Sequence, residues 1–398
     1  MENQEFIVLR AEKLLTPDPA DMGGPVLESA GARPSATVEN LQVTTESLSK
    51  AQRDDLRRDP RTKAMATPMP LKLIEPMEAN EPSAAVLAAN ATWGVEAVGA
   101  LTSPFDGSGI KVAVLDTGID PDHVAFEGIN LTRKNFTSEG DDDSNGHGTH
   151  CAGTIFGRDV DGLRIGVAKG VTEAMIGKVL GAGGGSSAGL VEAIQWSVNG
   201  GANIISMSLG IDFPGFVKQL TNSGLQVEPA TSIALEQYRA NVNLFSRLAD
   251  LLRSAGAVQQ ASLIIAASGN ESNRPQYEVA VAPPAAGTGI VAVGALGEGD
   301  GNGLSVANFS NTQCNLSAPG VGVISARVGG GVRSLNGTSM ATPHVAGVAA
   351  LWAQKQVADG GILSDVLVGQ LLANADRSVL EAGLEREDVG QGMAQSPQ

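Results

Sequence analysis

The stretch "IKVAVLD", residues 110–116, is a run of mostly apolar side chains that ends in an aspartate. A run this short, with a glycine on either side, predicts a strand that is buried on both faces. Three more such runs follow it, "NIISMSLG" (203–210), "SLIIAASGN" (262–270) and "GIVAVGA" (289–295). Segments with helical periodicity occur between them. Strands that alternate with helices predict an α/β fold of three layers, with a mostly parallel sheet and helices on both faces.

Two of the other segments have a clear helical pattern. In "SAGLVEAIQWSVNGG" (187–201), Leu190, Ile194 and Val198 recur at helical spacing, and an Asn-Gly-Gly sequence ends the pattern. Residues 231–256 place six larger side chains on one helix face. These are Leu235, Tyr238, Val242, Phe245, Leu248 and Leu252.

Composition excludes several classes of function. The 398 residues have a formal charge of −16, which argues against nucleic acid or an anionic membrane as the main partner, because both attract clustered cations. No apolar run approaches the ~20 residues of a membrane span. The start "MENQEFIVLRAEKLL" shows no ordinary secretory signal, so we expect a cytoplasmic protein, with secretion by a non-standard route as the alternative. Cys151 and Cys314 do not amount to a disulfide framework.

Three glycine-containing segments hold the side chains suited to chemistry. Asp116 ends a predicted buried strand, where an unpaired carboxylate is costly. In "SNGHGTHCAG" (144–153), His147 and His150 are three residues apart, which fits two zinc ligands or one catalytic base with a structural neighbour. Ser339 precedes an apolar helix, which fits either a nucleophile or an N-cap.

The three segments together are more specific than any one of them. A serine is a weak nucleophile unless a base takes its proton, and a histidine base needs a carboxylate that orients it. The order Asp, His, Ser along the chain is one of the known orders of such triads. The sequence therefore predicts a triad of Asp116, one of the two histidines, and Ser339.

The segments "VAVLDTGID" (112–120), "NGHGTHCAGT" (145–154) and "NGTSMATPHVAG" (336–347) resemble the three signature blocks of the subtilisin-like serine proteases, or subtilases. "SMSLG", "AASGN" and "FSNTQCNLSAPG" fall between them in the order that the family has. The resemblance covers nearly all of the chain after residue 90. It implies the subtilisin-like α/β fold and a serine endopeptidase that forms an acyl-enzyme intermediate.

The resemblance also implies a role for each matching residue. Asp116 would orient the base, His147 would be the general base, and Ser339 would be the nucleophile. Asn270 of "AASGN" is similar to the asparagine that binds the oxyanion in the family. His150 is then expected to be a structural neighbour on the same helix as His147.

In the family the substrate lies as an added strand between two walls, which the resemblance places at residues 180–186 and 206–210. The substrate-binding residues predicted from these walls are Gly181, Gly183, Ser208, Leu209 and Gly210. The segment "VAPPAAG" (281–287) resembles the family's primary pocket, which implies a medium or large apolar side chain directly before the cleaved bond.

Two features depart from the family pattern. Residues 211–230 are predicted to be an additional loop that narrows or caps the substrate site, with a surface elaboration as the alternative. The segment "DPDHVAFEG" (120–128) matches the family's calcium site poorly. We therefore predict no metal residues and no certain cofactor, and calcium stays open as a structural ion at two acidic loops, residues 141–143 and 159–161.

The first 80 residues resemble the inhibitory propeptide of secreted subtilases, a small α+β domain of ferredoxin-like type. "EFIVLR" (5–10), a helix at 49–58 and "MPLKLIEP" (69–76) occur in the expected order, and Ser49 and Gln52 have capping-box spacing. The expected domains are an inhibitor-like propeptide at 1–80, a linker with the processing site at 81–92, and a peptidase domain at 93–398.

We therefore predict a serine endopeptidase with protein or peptide substrates, made as a self-processing zymogen with its own N-terminal domain as an intramolecular inhibitor. The alternative within the enzyme class is a dedicated intracellular processing peptidase that cuts one leader or partner. The alternative from another class is a pseudoprotease, which binds peptides without cutting them.

Overall fold

The computed structural model describes residues 3–14, 38–256, 261–299 and 303–398. The strands in chain order are β1 (Gln4–Leu14), β2 (Val38–Leu48), β3 (Thr62–Ala66), β4 (Pro70–Leu73), β5 (Met77–Glu78), β6 (Lys111–Asp116), β7 (Asn130–Asn135), β8 (Glu173–Lys178), β9 (Gly185–Ser186), β10 (Ile204–Met207), β11 (Leu209–Ile211), β12 (Leu263–Ala267), β13 (Val291–Glu298), β14 (Leu304–Val306), β15 (Leu316–Pro319), β16 (Val323–Ala326) and β17 (Val332–Asn336). The helices are α1 (Lys50–Arg58), α2 (Ala84–Leu87), α3 (Trp93–Ala97), α4 (His147–Phe156), α5 (Ser187–Asn199), α6 (Phe213–Asn222), α7 (Val227–Gly256), α8 (Thr338–Ala358), α9 (Ser364–Ala373) and α10 (Arg386–Val389).

The large sheet has the strand order β14-β13-β12-β10-β6-β8-β7, and β15 also pairs with β13. Every pair in it is parallel except β13 with β14. All four runs predicted as buried strands, starting with "IKVAVLD", lie in this sheet as β6, β10, β12 and β13. The predicted mostly parallel sheet is therefore confirmed.

Side chains of the central strand β6 alternate between two cores. Val112 and Val114 belong to the core that contains residues of α4 and α8, whereas Ala113 and Leu115 belong to the core that contains residues of α5 and α7. Both faces of the sheet are therefore covered by helices, as the apolar runs predicted. None of the described helices combines the length and apolar character needed to cross a bilayer.

The helices on the second face end where the sequence predicted, and α5 also begins at the predicted residue, whereas α7 begins earlier. α5 ends at Asn199 with Gly200 as its C-cap, and the following Gly201 adopts a φ of 82°, which favours glycine. α7 begins at Val227 instead of residue 231, and Leu235, which was predicted to lie on the apolar face, is 49% exposed. Residues 213–222 form a helix, α6, so the predicted loop is wrong there. Asp212 caps α6 by accepting the N–H of Gly215 at 3.1 Å.

The N-terminal residues form a separate antiparallel sheet in the order β2-β1-β3. Phe6 and Val8 of β1 pack in a small cluster beside α1, whereas Ile7 and Leu9 enter the same core as α5 and α7. The predicted capping box of Ser49 and Gln52 starts α1, so this small α+β unit is confirmed in part. The remainder of the ferredoxin-like prediction falls on residues 15–37, which lie outside the described residues.

The segment "MPLKLIEP" forms a strand, as predicted, but this strand does not join the N-terminal sheet. Instead β4 lies between β11 and β9 of the larger domain and is antiparallel to both. Shortly after it, β5 pairs with β17. The residues between β4 and β5 therefore cross the carboxyl edge of the large sheet, where the active site was predicted.

Candidate active site

The predicted Asp–His pair is assembled at the carboxyl edge of the sheet. Asp116 is the last residue of β6, and His147 is the first residue of α4. Nδ1 of His147 lies 2.8 Å from Oδ1 of Asp116, and both side chains are 1% exposed. The same carboxylate oxygen accepts the N–H of Thr117 at 2.7 Å. Because Nδ1 of His147 faces a carboxylate, it is the donor, and Nε2 is left to act as an acceptor.

Burial and charge act in opposite directions on the pKa of His147. Burial favours the neutral ring, but the Asp116 carboxylate stabilises the imidazolium, and the net effect raises the pKa well above its ordinary value of 6.5. Nε2 of His147 has no hydrogen-bond partner among the described residues. A ring held at Nδ1 with an unpartnered Nε2 is suited to taking a proton from a nearby group.

Ser339 is the second residue of α8, near the positive end of the helix dipole. Its Oγ donates a hydrogen bond of 3.0 Å to the carbonyl oxygen of Ile74. Its own carbonyl accepts from Cys151 Sγ at 3.4 Å, and that sulfur lies 3.8 Å from Nδ1 of His147. Cys151 therefore connects the His147 and Ser339 segments, and its position directly after His150 gave no sign of this contact. Burial raises the pKa of the Cys151 thiol, so the thiol stays protonated near neutral pH.

Asn270 lies directly opposite the start of α8. Its Oδ1 accepts the backbone N–H and the Oγ1–H of Thr338, both at 2.8 Å. These two bonds orient the amide, and Nδ2 then donates to the carbonyl oxygen of Glu75 at 2.9 Å. The side chain thus presents its N–H groups to a carbonyl of a strand beside Ser339, as an oxyanion donor must.

The two predicted walls of the groove enclose β4. On one side Gly210 stands opposite Lys72, and on the other Gly185 stands opposite Leu71. A Cβ atom on Gly184 would lie 2.4 Å from the carbonyl oxygen of Leu71, so this wall approaches the strand closely because it lacks side chains. The chain itself therefore occupies the place of the added strand.

The predicted substrate-binding residues differ in how they contact β4. Leu209 and Gly210 pair with β4 through their backbones, whereas the buried Ser208 donates its Oγ–H to the carbonyl of Ser339 at 3.3 Å. Gly181 and Gly183 line a cavity of about 430 Å³ beside β4, and the strand pairing on that wall is made by residues 185–186 instead.

The other three histidines have backbone partners and lie away from this pair. His150 Nε2 donates to the carbonyl of Val323 at 3.1 Å, and burial lowers its pKa to about 3. Nδ1 of His344 donates to the carbonyl of Met340 at 2.8 Å, and burial lowers its pKa to about 4. His123 also bonds a backbone carbonyl. A zinc pair of His147 and His150 is not formed, because the ring of His150 is turned to Val323.

The acidic loop at 141–143 is held by protein donors. Nζ of Lys178 donates to the carbonyls of Gly140 and Asp142, both at 2.8 Å, so an ammonium occupies the centre of the loop. Asp143 is buried and accepts from several neighbours, including Gly146 N and Thr149 Oγ1. Among the described residues, the one group of three His, Cys, Asp or Glu side chains close enough to share an ion is Asp116, His147 and Cys151. The oxygens of the 141–143 loop therefore fit a structural role better than that of a calcium site.

The family resemblance implied that the N-terminal domain acts as an inhibitor, but no pattern in the sequence singled out residues 70–78 as the segment in the groove. The available signal was the short run Leu71-Lys72-Leu73-Ile74 between two prolines, isolated from any helix. It was correctly predicted as a strand, but its pairing partners are more than a hundred residues away in the sequence. The periodicity of a segment predicts which of its side chains are buried, but it does not predict which strand the segment pairs with.

Comparison with known proteins gives the family. Residues 107–392 match the subtilase family, peptidase S8. The chain is 35% identical over 272 residues to proteins named subtilisin-like protease 1 from Trichophyton verrucosum and from Arthroderma benhamiae, which covers 66% of this chain and 56% of each relative. A protein of the same name from Trichophyton rubrum is 34% identical over 295 residues, or 69% of this chain and 49% of that relative. The matched part thus spans about half the length of these relatives. The chain belongs to the subtilase family.

Proposed function

We propose that this chain is a serine endopeptidase in which Ser339 is the nucleophile, His147 the general base, Asp116 its orienting carboxylate and Asn270 an oxyanion donor. The single observation that supports this best is the buried 2.8 Å contact of Asp116 with His147, at the edge where Ser339 and Asn270 both contact a peptide strand. Such a constellation performs acyl transfer whenever a scissile carbonyl is placed between the nucleophile and the oxyanion donors.

The mechanism follows from the positions of these groups. Ser339 Oγ attacks the peptide carbonyl while its proton moves to Nε2 of His147, and Asp116 stabilises the imidazolium. Asn270 Nδ2 and the backbone N–H of Ser339 at the start of α8 stabilise the tetrahedral oxyanion. The imidazolium then protonates the leaving amine. A water activated by His147 hydrolyses the acyl-enzyme.

The proposal includes inhibition by the chain's own residues 70–78. Ser339 Oγ donates to the carbonyl of Ile74, whereas Asn270 Nδ2 donates to the next carbonyl, that of Glu75. A substrate in position for attack presents one carbonyl to both groups. Since the two contacts are divided between successive carbonyls, this strand fills the site in a register that is not productive.

From the register of this strand against Ser339 we also propose a processing site. The bond nearest to Ser339 Oγ is Ile74–Glu75, so a small shift of the strand would place this bond for attack. The linker 81–92 stays a predicted alternative, and its short helix α2 has exposed side chains at Val86 and Leu87. The intact mass of the purified protein decides between the two.

The proposed activity is tested with a fluorophosphonate probe, which reacts only with an activated serine. We expect the chain to acquire one label on the peptide that contains Ser339, and to cleave casein, once residues 70–78 are cut or have left the groove. A label that appears only after residues 70–78 are cut supports the inhibitory role of that segment. Absence of a label, even after limited proteolysis of the residues before Trp93, would contradict the proposed function.

The pKa of His147 sets the pH dependence of this reaction. Only the neutral ring can accept the proton of Ser339, and the pKa is raised above 6.5, so the labelling rate should be low at pH 6 and rise with pH until it levels above that pKa. The measurement is the labelling rate from pH 5.5 to 9.5, corrected for hydrolysis of the free probe. A rate that is independent of pH, or that falls between pH 6 and 8, would exclude His147 as the base.

A further inference from the structure

The strand in the groove defines which wall residues face each position of a bound peptide. Counted back from the Ile74–Glu75 bond, Ile74 is the first residue, Leu73 the second, Lys72 the third and Leu71 the fourth. Ile74, Leu73 and Leu71 are all buried, and a Cγ atom of Ile74 lies 3.8 Å from where a Cβ on Gly210 would stand. The groove therefore accommodates aliphatic side chains at the first, second and fourth positions.

The third position is different, because its side chain is half-buried and charged. Nζ of Lys72 lies 3.2 Å from Oε1 of Glu271 and 3.9 Å from Oδ1 of Asp212. Glu271 directly follows Asn270, and Asp212 directly follows β11. Two carboxylates from separate segments of the chain therefore face the same cation.

Both carboxylates are held in place by donors of the peptidase domain. Oε2 of Glu271 accepts from Nδ2 of Asn311 at 2.8 Å, which leaves Oε1 for Lys72. Asp212 caps α6 through Gly215, and its backbone N–H donates to the carbonyl of Pro70 at 3.0 Å. Carboxylates fixed in this way lose little conformational entropy when a cation binds.

Beside the two carboxylates lies a cavity of about 310 Å³ whose lining is mostly apolar. Lys72 borders it together with Ile211, Phe213 and Tyr238. Phe213 comes from α6, within the insertion at 211–230, and Tyr238 comes from the long helix α7. An apolar wall with carboxylates at its edge suits a side chain with an apolar stem and a cationic end, as lysine and arginine have.

Resting on the peptidase activity proposed above, we propose that Glu271 and Asp212 form a subsite for a lysine or arginine three residues before the cleaved bond. The substrate class is then an extended peptide with the pattern aliphatic, basic, aliphatic, aliphatic before that bond. The insertion at 211–230 serves this selection, since it contributes Asp212 and part of the apolar wall, and it does not cap the groove over its length.

The first test compares two fluorogenic peptides, Leu-Lys-Leu-Ile and Leu-Glu-Leu-Ile, each ending in a coumarin amide. The enzyme is the full-length chain with Lys72→Glu, whose own strand no longer supplies the cation. We expect kcat/KM for the lysine peptide to be about tenfold higher, since one peptide is attracted by the carboxylates and the other repelled, and the ratio should shrink in 1 M salt. Adding Glu271→Gln or Asp212→Asn should bring the ratio toward one.

Equal cleavage of the two peptides, or a ratio of kcat/KM that neither Glu271→Gln nor Asp212→Asn changes, would contradict the proposed subsite. The proposed peptidase activity would still stand. If neither peptide is cleaved, even after limited proteolysis of the residues before Trp93, the proposed activity fails instead, and the second test judges the subsite without catalysis.

The second test measures hydrogen exchange at the amides of residues 71–73 in the full-length chain carrying Ser339→Ala. We expect Lys72→Glu to accelerate their exchange about three- to tenfold, because the strand is then repelled by both carboxylates. Adding Glu271→Lys should restore most of the protection. The matched control is Lys50→Glu, an exposed residue of α1 with the same change of charge. Unchanged exchange in Lys72→Glu, or failure of Glu271→Lys to restore protection, overturns the subsite.

Discussion

Ser339→Ala is expected to abolish fluorophosphonate labelling and to lower peptide cleavage by about 10⁶-fold, the size of effect seen when a subtilisin loses its nucleophile. The variant removes only Oγ, which donates to the carbonyl of Ile74. The backbone carbonyl of residue 339 keeps its contacts with Cys151 and Ser208, so the fold should be retained. The measurement is the initial rate of cleavage of a fluorogenic peptide. The intact mass of the variant shows whether its N-terminal residues are still removed.

Ser187→Ala is the matched control, because Ser187 is also buried and begins a helix, α5, beside the groove. Its Oγ accepts the backbone N–H of Met69 at 2.9 Å, so its role in the described contacts is to hold the strand that leads into the groove. Loss of that buried acceptor should lower the free energy of unfolding by about 1–3 kcal/mol and leave labelling in place. If Ser187→Ala loses the label and Ser339→Ala keeps it, the assignment of the nucleophile is wrong.

The sequence was sufficient to predict the large sheet, and the reason is visible in β6. Val112 and Val114 pack on one face while Ala113 and Leu115 pack on the other, so all four residues between Lys111 and Asp116 are apolar and the run is easily recognised. The strands also predicted the place of Asp116, whereas the choice of His147 and the role of Asn270 came from the family resemblance. Asp116 ends β6 and Asn270 follows β12, and parallel strands bring their carboxyl ends to one edge.

The remaining features depend on contacts that no local pattern records. α6 was predicted as a loop, because residues 213–222 contain Pro214 and Gly215, yet these lie in its first turn, where Asp212 provides the cap. Cys151 contacts the Ser339 segment across 188 residues of sequence. The pairing of β4 with β11 and β9 likewise joins segments that are distant in the sequence. Such contacts form only in the assembled fold, so they cannot be predicted from residues that are neighbours in the sequence.

Asp116→Asn is expected to lower peptide cleavage at pH 7 by about 10⁴-fold, the loss known for this change in a serine-protease triad. The substitution keeps the size of the side chain and an oxygen that can accept from Thr117 and His147. It removes the charge that stabilises the imidazolium during attack. With that charge gone, burial is left as the main influence on the ring, so the pKa of His147 should fall below that of the parent chain.

The pH profile therefore separates an electrostatic role of Asp116 from a merely structural one. We expect the residual activity of Asp116→Asn to reach its plateau at lower pH than the parent, while thermal unfolding shows that the chain is folded. Asp122→Asn, an exposed aspartate six residues further along, is the control and should keep both rate and profile. A variant that is folded and slow but has the parental pH profile would mean that Asp116 only positions the ring. A rate within tenfold of the parent would remove Asp116 from the triad.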